Sequence, residues 1–464
     1  MATRFERSRA TAVFLWGRAL ITVITAAAAY AADVPNRTLA AKVDAYIQPY
    51  VDGRNFSGAI LIARGGRVLV SKGYGMANYE LAVPNRPDTR FHIASISKSF
   101  TAAAILMLEE RGQLQVKDTL AKFIPDYPQG DKITVHHLLT HTSGIPNVNN
   151  FSSYNEKSRS RLALSEIIPL FKDKPLDFEP GARFRYSNSN YNLLAFIIEK
   201  ASGKKYGEFL EENIFRPLQM NATANDDGSD VLIPNRASGY VPAGLQDIEN
   251  APFLNWSIKI GNGSLYSTVE DLYKWDRALY SDVILKKSTR DRMFTDYGGF
   301  GYGWFVRKKL AHRVVSINGR SPGFTSSLDR FVDDDVAIIL AANTYSGMTQ
   351  SMADDLAAIV FEQKYSTLPK PLSLSADVLR DYAGRYQFGQ DFSFNPGAAV
   401  SVERIDTTLR MVTGGSTTYL LPQSETKFVD RLFGGVVSFT KGPDGKVTDL
   451  IWNFGSDFKA SKIE

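Results

Sequence analysis

Short apolar runs that are typical of β-strands lie before and after a long segment with helical periodicity. The runs Ser57–Arg64 and Arg67–Lys72 flank Gly65 and Gly66, a pair typical of a tight β-hairpin because glycine adopts positive φ freely. Apolar residues then recur at helical spacing over Ile96–Arg111. Helical signals continue to about residue 280, and four β-type runs follow: Tyr302–Val306, Arg313–Ile317, Ser326–Val332 and Val336–Ala342. The pattern predicts an α/β (α+β) fold, an antiparallel sheet flanked by helices with an inserted all-helical subdomain.

A second, smaller domain is predicted at the C-terminal end. A helix expected over Ser351–Gln363 precedes Thr367–Pro371, which has the composition of a linker. Short β-type runs and turns follow at Val400–Glu403, Leu409–Thr413, Tyr419–Leu421, Val436–Lys441 and Lys446–Trp452. This succession of short strands and turns is typical of a small β-barrel or sandwich. We therefore assign residues 32–364 to the main domain, 365–375 to a linker and 376–464 to a small β-barrel-like domain.

Residues 1–31 are predicted to be an export signal. Arginines precede the apolar run Ala19–Ala29, and Ala29–Ala31 supplies the small-x-small pattern that a signal peptidase accepts. The run is shorter than the roughly 20 apolar residues that span a bilayer. We expect an exported protein, periplasmic or secreted, without stable membrane insertion after cleavage, and an uncleaved anchor is the alternative.

Charge and composition exclude several classes of protein. The 464 residues carry a formal charge of +5, of which residues 1–31 hold +3, so the remainder shows no basic footprint for nucleic acid. The chain contains no cysteine, which excludes disulfides, thiolate metal sites and thiol catalysis. We predict a small-molecule, peptide or ester substrate and no nucleic-acid partner.

Candidate chemistry begins with Ser-x-x-Lys. The pattern occurs five times, but only the copy at Ser95 and Lys98 stands where an apolar helix begins. Residues i and i+3 share a helix face, so the lysine amine can reach the serine hydroxyl. The helix N-terminus also favours a neutral amine and a developing alkoxide. An isolated copy would be no more than a helix cap.

A second element strengthens this interpretation. Tyr-x-Asn occurs once among 21 tyrosines, at Tyr186 and Asn188, in a predicted loop before a helix expected over Tyr191–Lys200. A phenol beside an amine can relay protons, and an asparagine amide can hold a substrate carbonyl. A buried tyrosine and a helix-capping asparagine would be the structural alternative.

Together these residues make the sequence resemble the penicillin-recognising serine hydrolases, the class C β-lactamases, low-molecular-weight D,D-peptidases and related esterases. The resemblance covers roughly residues 40–365 and rests on an ordered set of segments: Ser95–Lys98, Leu138–Ile145, Tyr186–Asn188, Gly263–Thr268 and Pro322–Phe324. It implies that Ser95 attacks a carbonyl while Lys98 and Tyr186 manage its proton, giving an acyl-enzyme that water cleaves. Which of the two is the base stays open.

The resemblance also implies the substrate-binding residues. Asn188 would orient the substrate amide, and the backbone N–H groups of Ser95 and Arg320 would form the oxyanion hole. Gly319 is retained from the family's third motif, where it would let substrate approach the edge strand. Peptidoglycan is a candidate partner on the same grounds.

One position departs from the family pattern. Ile317 stands where the third motif has a lysine or histidine, and Arg320 is expected on the opposite strand face from Ile317. Lys259-Ile260-Gly261 matches the motif by letter, but it precedes a helix start instead of a predicted strand. We therefore expect weak action on β-lactams and favour an ester or an uncharged amide. The alternative is a covalent penicillin- or peptidoglycan-binding or sensing protein with little turnover.

Two other motifs, a Gly-x-Ser-x-Gly pattern and a pair of histidines, do not meet the requirements of their chemistry. Gly319–Gly323 fits Gly-x-Ser-x-Gly, but the residue after its serine is Pro322, which has no N–H for an oxyanion hole. His137 and His141 are four apart without a third ligand or a His-Glu-x-x-His pattern. We predict neither a metal nor a cofactor.

Overall fold

The computed structural model describes residues 37–464 except 369, 371, 393–396, 415, 454 and 455. The predicted signal segment, residues 1–31, lies outside the described residues. Across the described part of the chain, no helix combines the length and apolar character that a membrane span requires.

The main region alternates strands and helices along the chain. Its strands are β1 Gly58–Arg64, β2 Arg67–Tyr74, β3 Met76–Asn78, β4 Val83–Pro84, β5 Phe91–His92, β6 Ala224–Asn225, β7 Tyr240–Ala243, β8 Asp247–Asn250, β9 Leu265–Ser267, β10 Phe305–Lys309, β11 His312–Ser321, β12 Phe324–Phe331 and β13 Val336–Ala342. The helices are α1 37–52, α2 Ser97–Glu110, α3 Val135–Leu139, α4 Ser152–Lys157, α5 Leu164–Ile167, α6 Asn188–Ser202, α7 Tyr206–Leu210, α8 Val269–Ala278, α9 Lys287–Met293 and α10 Met348–Val360.

An antiparallel sheet organises this region, in the order β10-β11-β12-β13-β1-β2. The predicted hairpin is confirmed: Gly65 and Gly66 both have positive φ, 58° and 72°, between the paired strands β1 and β2. Strand β1 also pairs with β13 from Gly58↔Ala342 to Arg64↔Val336, so the two ends of the region share one sheet as predicted.

Helices cover both faces of the sheet. Alternate residues of β1 enter different cores: Leu61 lies in the cluster that contains α2 residues, whereas Ile60 and Ile62 lie in the cluster that contains α10 residues. The alternation follows from the two-residue period of a strand. Helix α2, which carries Ser95 at its N-terminal edge, is therefore fixed against the sheet on the first of these faces.

The inserted region is mainly helical, but the expectation of an all-helical subdomain is wrong in detail. Strands β5 and β6 both pair with β9, and β7 pairs with β8. These pairings are two to four residues long. Such lengths are too short to produce a readable alternation of apolar and polar residues.

The C-terminal part forms the predicted closed barrel. Its elements are α11 Ala376–Tyr382, β14 Gly384–Phe388, β15 Ala399–Ile405, β16 Thr408–Thr413, β17 Ser416–Pro422, β18 Lys427–Asp430, β19 Val436–Lys441, β20 Val447–Asn453 and β21 Asp457–Lys462. Strand β14 pairs with β21, which closes the barrel. Closure removes the exposed strand edges that a small sheet would otherwise present.

The loop between β18 and β19 docks the barrel onto the main region. Arg431 is fully buried there, and its guanidinium donates to Asn55 Oδ1 at 2.9 Å and to the Gly244 carbonyl at 2.6 Å. The next carbonyl, of Leu432, accepts a hydrogen bond from the Gly347 N–H at 2.8 Å. The two parts are thus joined by hydrogen bonds of Arg431 and of the Leu432 carbonyl as well as by the covalent chain.

Candidate active site

Ser95 lies at the turn that leads into α2. A single 3-10 turn, Ala94–Ile96, precedes the helix, and Ser95 is partly exposed while its neighbours Ala94 and Ile96 are buried. Ala94 has φ 46°, in the left-handed region that residues other than glycine rarely adopt. Such strain persists only where the surroundings enforce it, and it often marks functional sites. The local geometry presents the serine hydroxyl at the N-terminus of a buried helix.

Lys98 lies in the first turn of α2 and is fully buried. Its Nζ is 3.0 Å from Ser95 Oγ, 2.9 Å from Asn188 Oδ1 and 2.6 Å from the Asn262 carbonyl oxygen. The i, i+3 spacing predicted this contact with Ser95. A neutral amine fits the three contacts well, because its two N–H groups can donate to Asn188 and Asn262 while its lone pair faces the serine hydroxyl.

Tyr186 completes the predicted group. Its hydroxyl oxygen is 2.9 Å from Ser95 Oγ, although 91 positions separate the two residues. Lys98 Nζ also lies 5.0 Å from the centre of the Tyr186 ring. The structure therefore brings the hydroxyl, amine and phenol of Ser95, Lys98 and Tyr186 into one crevice.

Asn188 belongs to the first turn of α6, which begins there and not at Tyr191 as predicted. Two residues that the sequence did not single out hold it in place. Asn149 Oδ1 accepts a hydrogen bond from Asn188 Nδ2 at 2.7 Å, and Asn147 Oδ1 accepts one from the Asn188 N–H at 3.1 Å. The first contact orients the side-chain amide so that its oxygen faces Lys98. Asn147 and Asn149 lie about 40 positions before Asn188 in the chain, so no local sequence pattern could identify these contacts.

Burial sets the protonation states of the amine and the phenol. Desolvation, followed by the positive charge of Lys259, holds the pKa of Lys98 well below its ordinary value. Desolvation raises the pKa of Tyr186, against a smaller opposing effect of its hydrogen bond with Ser95. Burial thus favours the neutral amine and the protonated phenol. This arrangement suits Lys98 as the base and Tyr186 as a proton donor and relay.

His141 packs against the phenol ring; a metal-ligand role was considered for it from the sequence and set aside. Its ring centre is 4.4 Å from that of Tyr186, and its Nδ1 accepts a hydrogen bond from the Ser187 N–H at 3.2 Å. Desolvation and the nearby charge of Lys98 keep its pKa well below the ordinary value. His137 instead uses Nδ1 to accept from the Thr134 N–H at 3.3 Å. No grouping of potential metal ligands occurs among the described residues.

Gly319 and Arg320 lie on β11, where pairing with β10 has ended at Ser316. A Cβ on Gly319 would be 2.3 Å from the Ile93 carbonyl oxygen and 3.0 Å from the Ser95 nitrogen. Glycine is therefore needed for the edge strand to approach the backbone that carries the nucleophile. The Arg320 side chain points toward the C-terminal barrel, where its Nη2 donates to the Leu432 carbonyl oxygen at 2.8 Å.

Comparison with known proteins identifies the family. The sequence model of the Beta-lactamase family matches residues 43–362. The chain belongs to the Beta-lactamase family. It is 31% identical over 435 residues to penicillin-binding protein 4* of Bacillus subtilis (strain 168), an alignment that covers 88% of this chain and 95% of that protein.

Solved structures carry the same fold. The octameric penicillin-binding protein homologue from Pyrococcus abyssi has a TM-score of 0.64 at 26% identity, covering 91% of this chain and 99% of that chain. The D-amino acid amidase from Ochrobactrum anthropi SV3, complexed with L-phenylalanine amide, has a TM-score of 0.62 and covers 70% of this chain and 99% of that chain. Its identity is 23%, so this likeness concerns the fold alone.

Within this Beta-lactamase family chain, Ile317 belongs to the apolar core. It is 1% exposed, pairs with Leu328 across the sheet and lies in the same cluster as the α2 residues. Its side chain offers no polar contact to a substrate, and Arg320, on the other face of the strand, does not replace a cation there. Ser321, the serine of the Gly-x-Ser-x-Gly pattern, is buried at the end of β11.

Proposed function

We propose that this protein is a serine hydrolase that cleaves an ester or amide through an acyl-enzyme on Ser95. The observation that carries the proposal is the position of Ser95 Oγ, 3.0 Å from Lys98 Nζ and 2.9 Å from the Tyr186 hydroxyl. A hydroxyl shared by a buried amine and a phenol is an activated nucleophile. Membership of the Beta-lactamase family supports the same chemistry.

The proposed reaction has two stages, acylation of Ser95 and hydrolysis of the acyl-enzyme. Lys98 takes the proton of Ser95 as Oγ forms a bond to the substrate carbonyl carbon, and Tyr186 relays a proton to the departing alcohol or amine as its bond to that carbon breaks. Water then attacks the acyl-enzyme, gives up a proton to the same amine and phenol pair, and releases the acid with Ser95 restored. The N–H groups of Ser95 and Arg320 would stabilise the oxyanion in both stages.

Intact-mass spectrometry combined with product detection tests this proposal. The protein is exposed to p-nitrophenyl butyrate and, separately, to a penicillin, and the variant Ser95→Ala is treated identically. We expect turnover of the ester without lasting mass gain, and neither turnover nor adduct with the variant. A folded Ser95→Ala variant that retained full turnover would refute the assignment, as would a wild-type protein inert to both compounds and to D-amino acid amides.

The second candidate is a covalent binding or sensing protein with little turnover. The apolar Ile317 favours it, because this side chain supplies no cation for a substrate carboxylate. A stable adduct with the penicillin and no product release would support this candidate over the hydrolase.

Export is proposed on the basis of residues 1–31 alone. Expression with the natural N-terminus, followed by N-terminal sequencing of protein recovered outside the cytoplasm, tests it. A mature chain that begins at or near residue 32 is the expected result, and an intact N-terminus on cytoplasmic protein would refute it.

A further inference from the structure

Lys259 is a buried lysine next to the candidate site, and the proposed reaction does not use its amine. The residue is 7% exposed and ends the 3-10 turn Trp256–Lys259. Among the described residues, no hydrogen bond or ion pair to its Nζ is found; the amine lies 5.8 Å from the centre of the Tyr154 ring. Lys259 Nζ is not among the fully enclosed side-chain atoms that lack a hydrogen-bond partner, so the stem of the residue is buried while its amine stays accessible to a ligand. Lysines are rarely buried to this extent unless their charge has a partner.

The backbone of Lys259 ties it to the catalytic group. Its carbonyl oxygen accepts hydrogen bonds from the Asn262 N–H at 2.9 Å and the Gly263 N–H at 2.8 Å. The Asn262 carbonyl in turn accepts from Lys98. This short segment therefore carries Lys259 and also contacts the Lys98 amine.

The side chain of Lys259 also runs beside the nucleophile turn. A Cβ placed on Gly263 would be 3.3 Å from Lys259 Cδ and 3.5 Å from the carbonyl carbon of Ala94, the residue before Ser95. The charge of Lys259 is close enough to lower the pKa of Lys98. The Lys259 side chain therefore lies beside the turn that carries Ser95.

We propose that Lys259 binds a carboxylate carried by the acyl part of the substrate, which makes it a specificity-determining residue of this site. The inference rests on the proposed function and names its substrate class. We place the carboxylate on the acyl side for the following reason. The amine lies over the ring of Tyr154, which is five residues after Asn149 in the chain. Asn149 holds Asn188, the residue expected to orient the substrate amide. A carboxylate would supply a hydrogen-bond acceptor and a negative charge, neither of which the described residues offer to Lys259 Nζ.

A bound carboxylate also fits the position of Ile317. The strand that usually supplies a cation is apolar at that position, so the cation of this chain lies elsewhere, on the segment before Asn262. The expected substrate is therefore an ester or amide whose leaving group is uncharged and whose acyl group ends in a carboxylate, such as a glutaryl or acidic amino-acyl group.

Matched esters with one leaving group test the proposal. The kcat/KM values of p-nitrophenyl hydrogen glutarate and p-nitrophenyl pentanoate, which differ mainly in the terminal carboxylate, are compared at a pH where the rate no longer changes. For the wild-type protein we expect a preference for the glutarate ester. Lys259→Met should lower the glutarate-to-pentanoate ratio by about tenfold or more, since a charge-assisted hydrogen bond is lost. Lys259→Arg should retain most of the ratio.

The control variant is Lys157→Met, which removes an exposed charge from the neighbouring helix α4 and should leave the ratio unchanged. An equal fall for both esters in Lys259→Met would refute the carboxylate contact and leave Lys259 acting only through Lys98. Should Lys259→Met fail to fold, the wild-type protein decides: equal kcat/KM for the two esters refutes the inference. Hydrolysis of neither ester would instead count against the proposed function itself.

Discussion

The Arg320 guanidinium, on the strand beside the candidate nucleophile, donates a hydrogen bond to the Leu432 carbonyl of the C-terminal barrel at 2.8 Å. Its carbon lies 4.6 Å from the centre of the Tyr345 ring and 5.1 Å from that of Phe433. The side chain of a residue whose backbone is expected in the oxyanion hole is thus held partly by the barrel. The barrel contributes to the position of the edge strand as well as to the stability of the protein.

Arg431→Met is expected to destabilise the protein by about 2–4 kcal/mol. The substitution leaves the buried Asn55 Oδ1 and the half-buried Gly244 carbonyl without their charged donor. Urea unfolding monitored by tryptophan fluorescence measures the change. Arg380→Met, which removes an exposed guanidinium from α11, should alter the free energy of unfolding by less than about 0.5 kcal/mol. Equal effects of the two substitutions would contradict the docking role of Arg431.

Asn188→Asp should move the acidic limb of the pH dependence of kcat/KM to higher pH. The wild-type amide oxygen lies 2.9 Å from Lys98 Nζ, and a carboxylate there would stabilise the ammonium form and raise the pKa of Lys98. Because the proposed base must be neutral, activity appears only above that pKa. A pH profile with an activated ester measures the shift.

Asn150→Asp provides the control for this profile, since it adds the same charge at an exposed position nearby. Its acidic limb should stay close to that of the wild type. An unshifted limb in Asn188→Asp would indicate that the pH dependence does not report Lys98.

Gly319→Ala should lower kcat/KM by about a hundredfold or more. The added methyl group would be 2.3 Å from the Ile93 carbonyl oxygen, so β11 must move away from the Ser95 backbone and widen the expected oxyanion hole. Steady-state kinetics with an activated ester measures the loss, and circular dichroism checks folding. Gly442→Ala in the barrel, where the nearest atoms are side-chain atoms at 3.2 Å, should retain activity. Full activity of a folded Gly319→Ala protein would contradict the requirement for close approach.

Asp430→Asn should remove a pH dependence of stability between about pH 4 and pH 6. Burial raises the pKa of Asp430 to about 6, against the hydrogen bonds that favour its charged form, including those from the Leu432 and Phe433 N–H groups. Since the folded pKa exceeds the unfolded value, the native state binds more protons in this window, and the wild-type protein loses stability as the pH rises through it.

Asparagine can keep the acceptor at Oδ1, and its Nδ2 replaces Oδ2, which is buried without a hydrogen-bond partner among the described residues. The variant should therefore be at least as stable as the wild type above pH 6. Free energies of unfolding at pH 4.5 and pH 7 measure the difference. A wild-type stability that rises across this interval, with Asp430→Asn rising equally, would contradict the prediction.

Local patterns in the sequence were sufficient for several features. Two adjacent glycines with freedom for positive φ predicted the β1–β2 hairpin, and a short apolar β-type run predicted β13 over Val336–Ala342 with its observed bounds. The i, i+3 spacing on a helix predicted that Lys98 reaches Ser95. Each of these features is caused by residues close together in sequence, so a local sequence pattern is enough to predict it.

Tertiary structure alone decided the environment of the candidate site. The partners Asn149 and Asn147, the ring of His141 behind Tyr186 and the Lys259 amine over the Tyr154 ring come from segments far apart in sequence, and only packing brings them together. Ile317 was recognised from the sequence as a departure from the family pattern, but its burial in the core required the sheet. The sequence by itself thus determined the elements and the reactive pair, whereas burial and long-range contacts, which set charge states and available partners, arise only when the chain is folded.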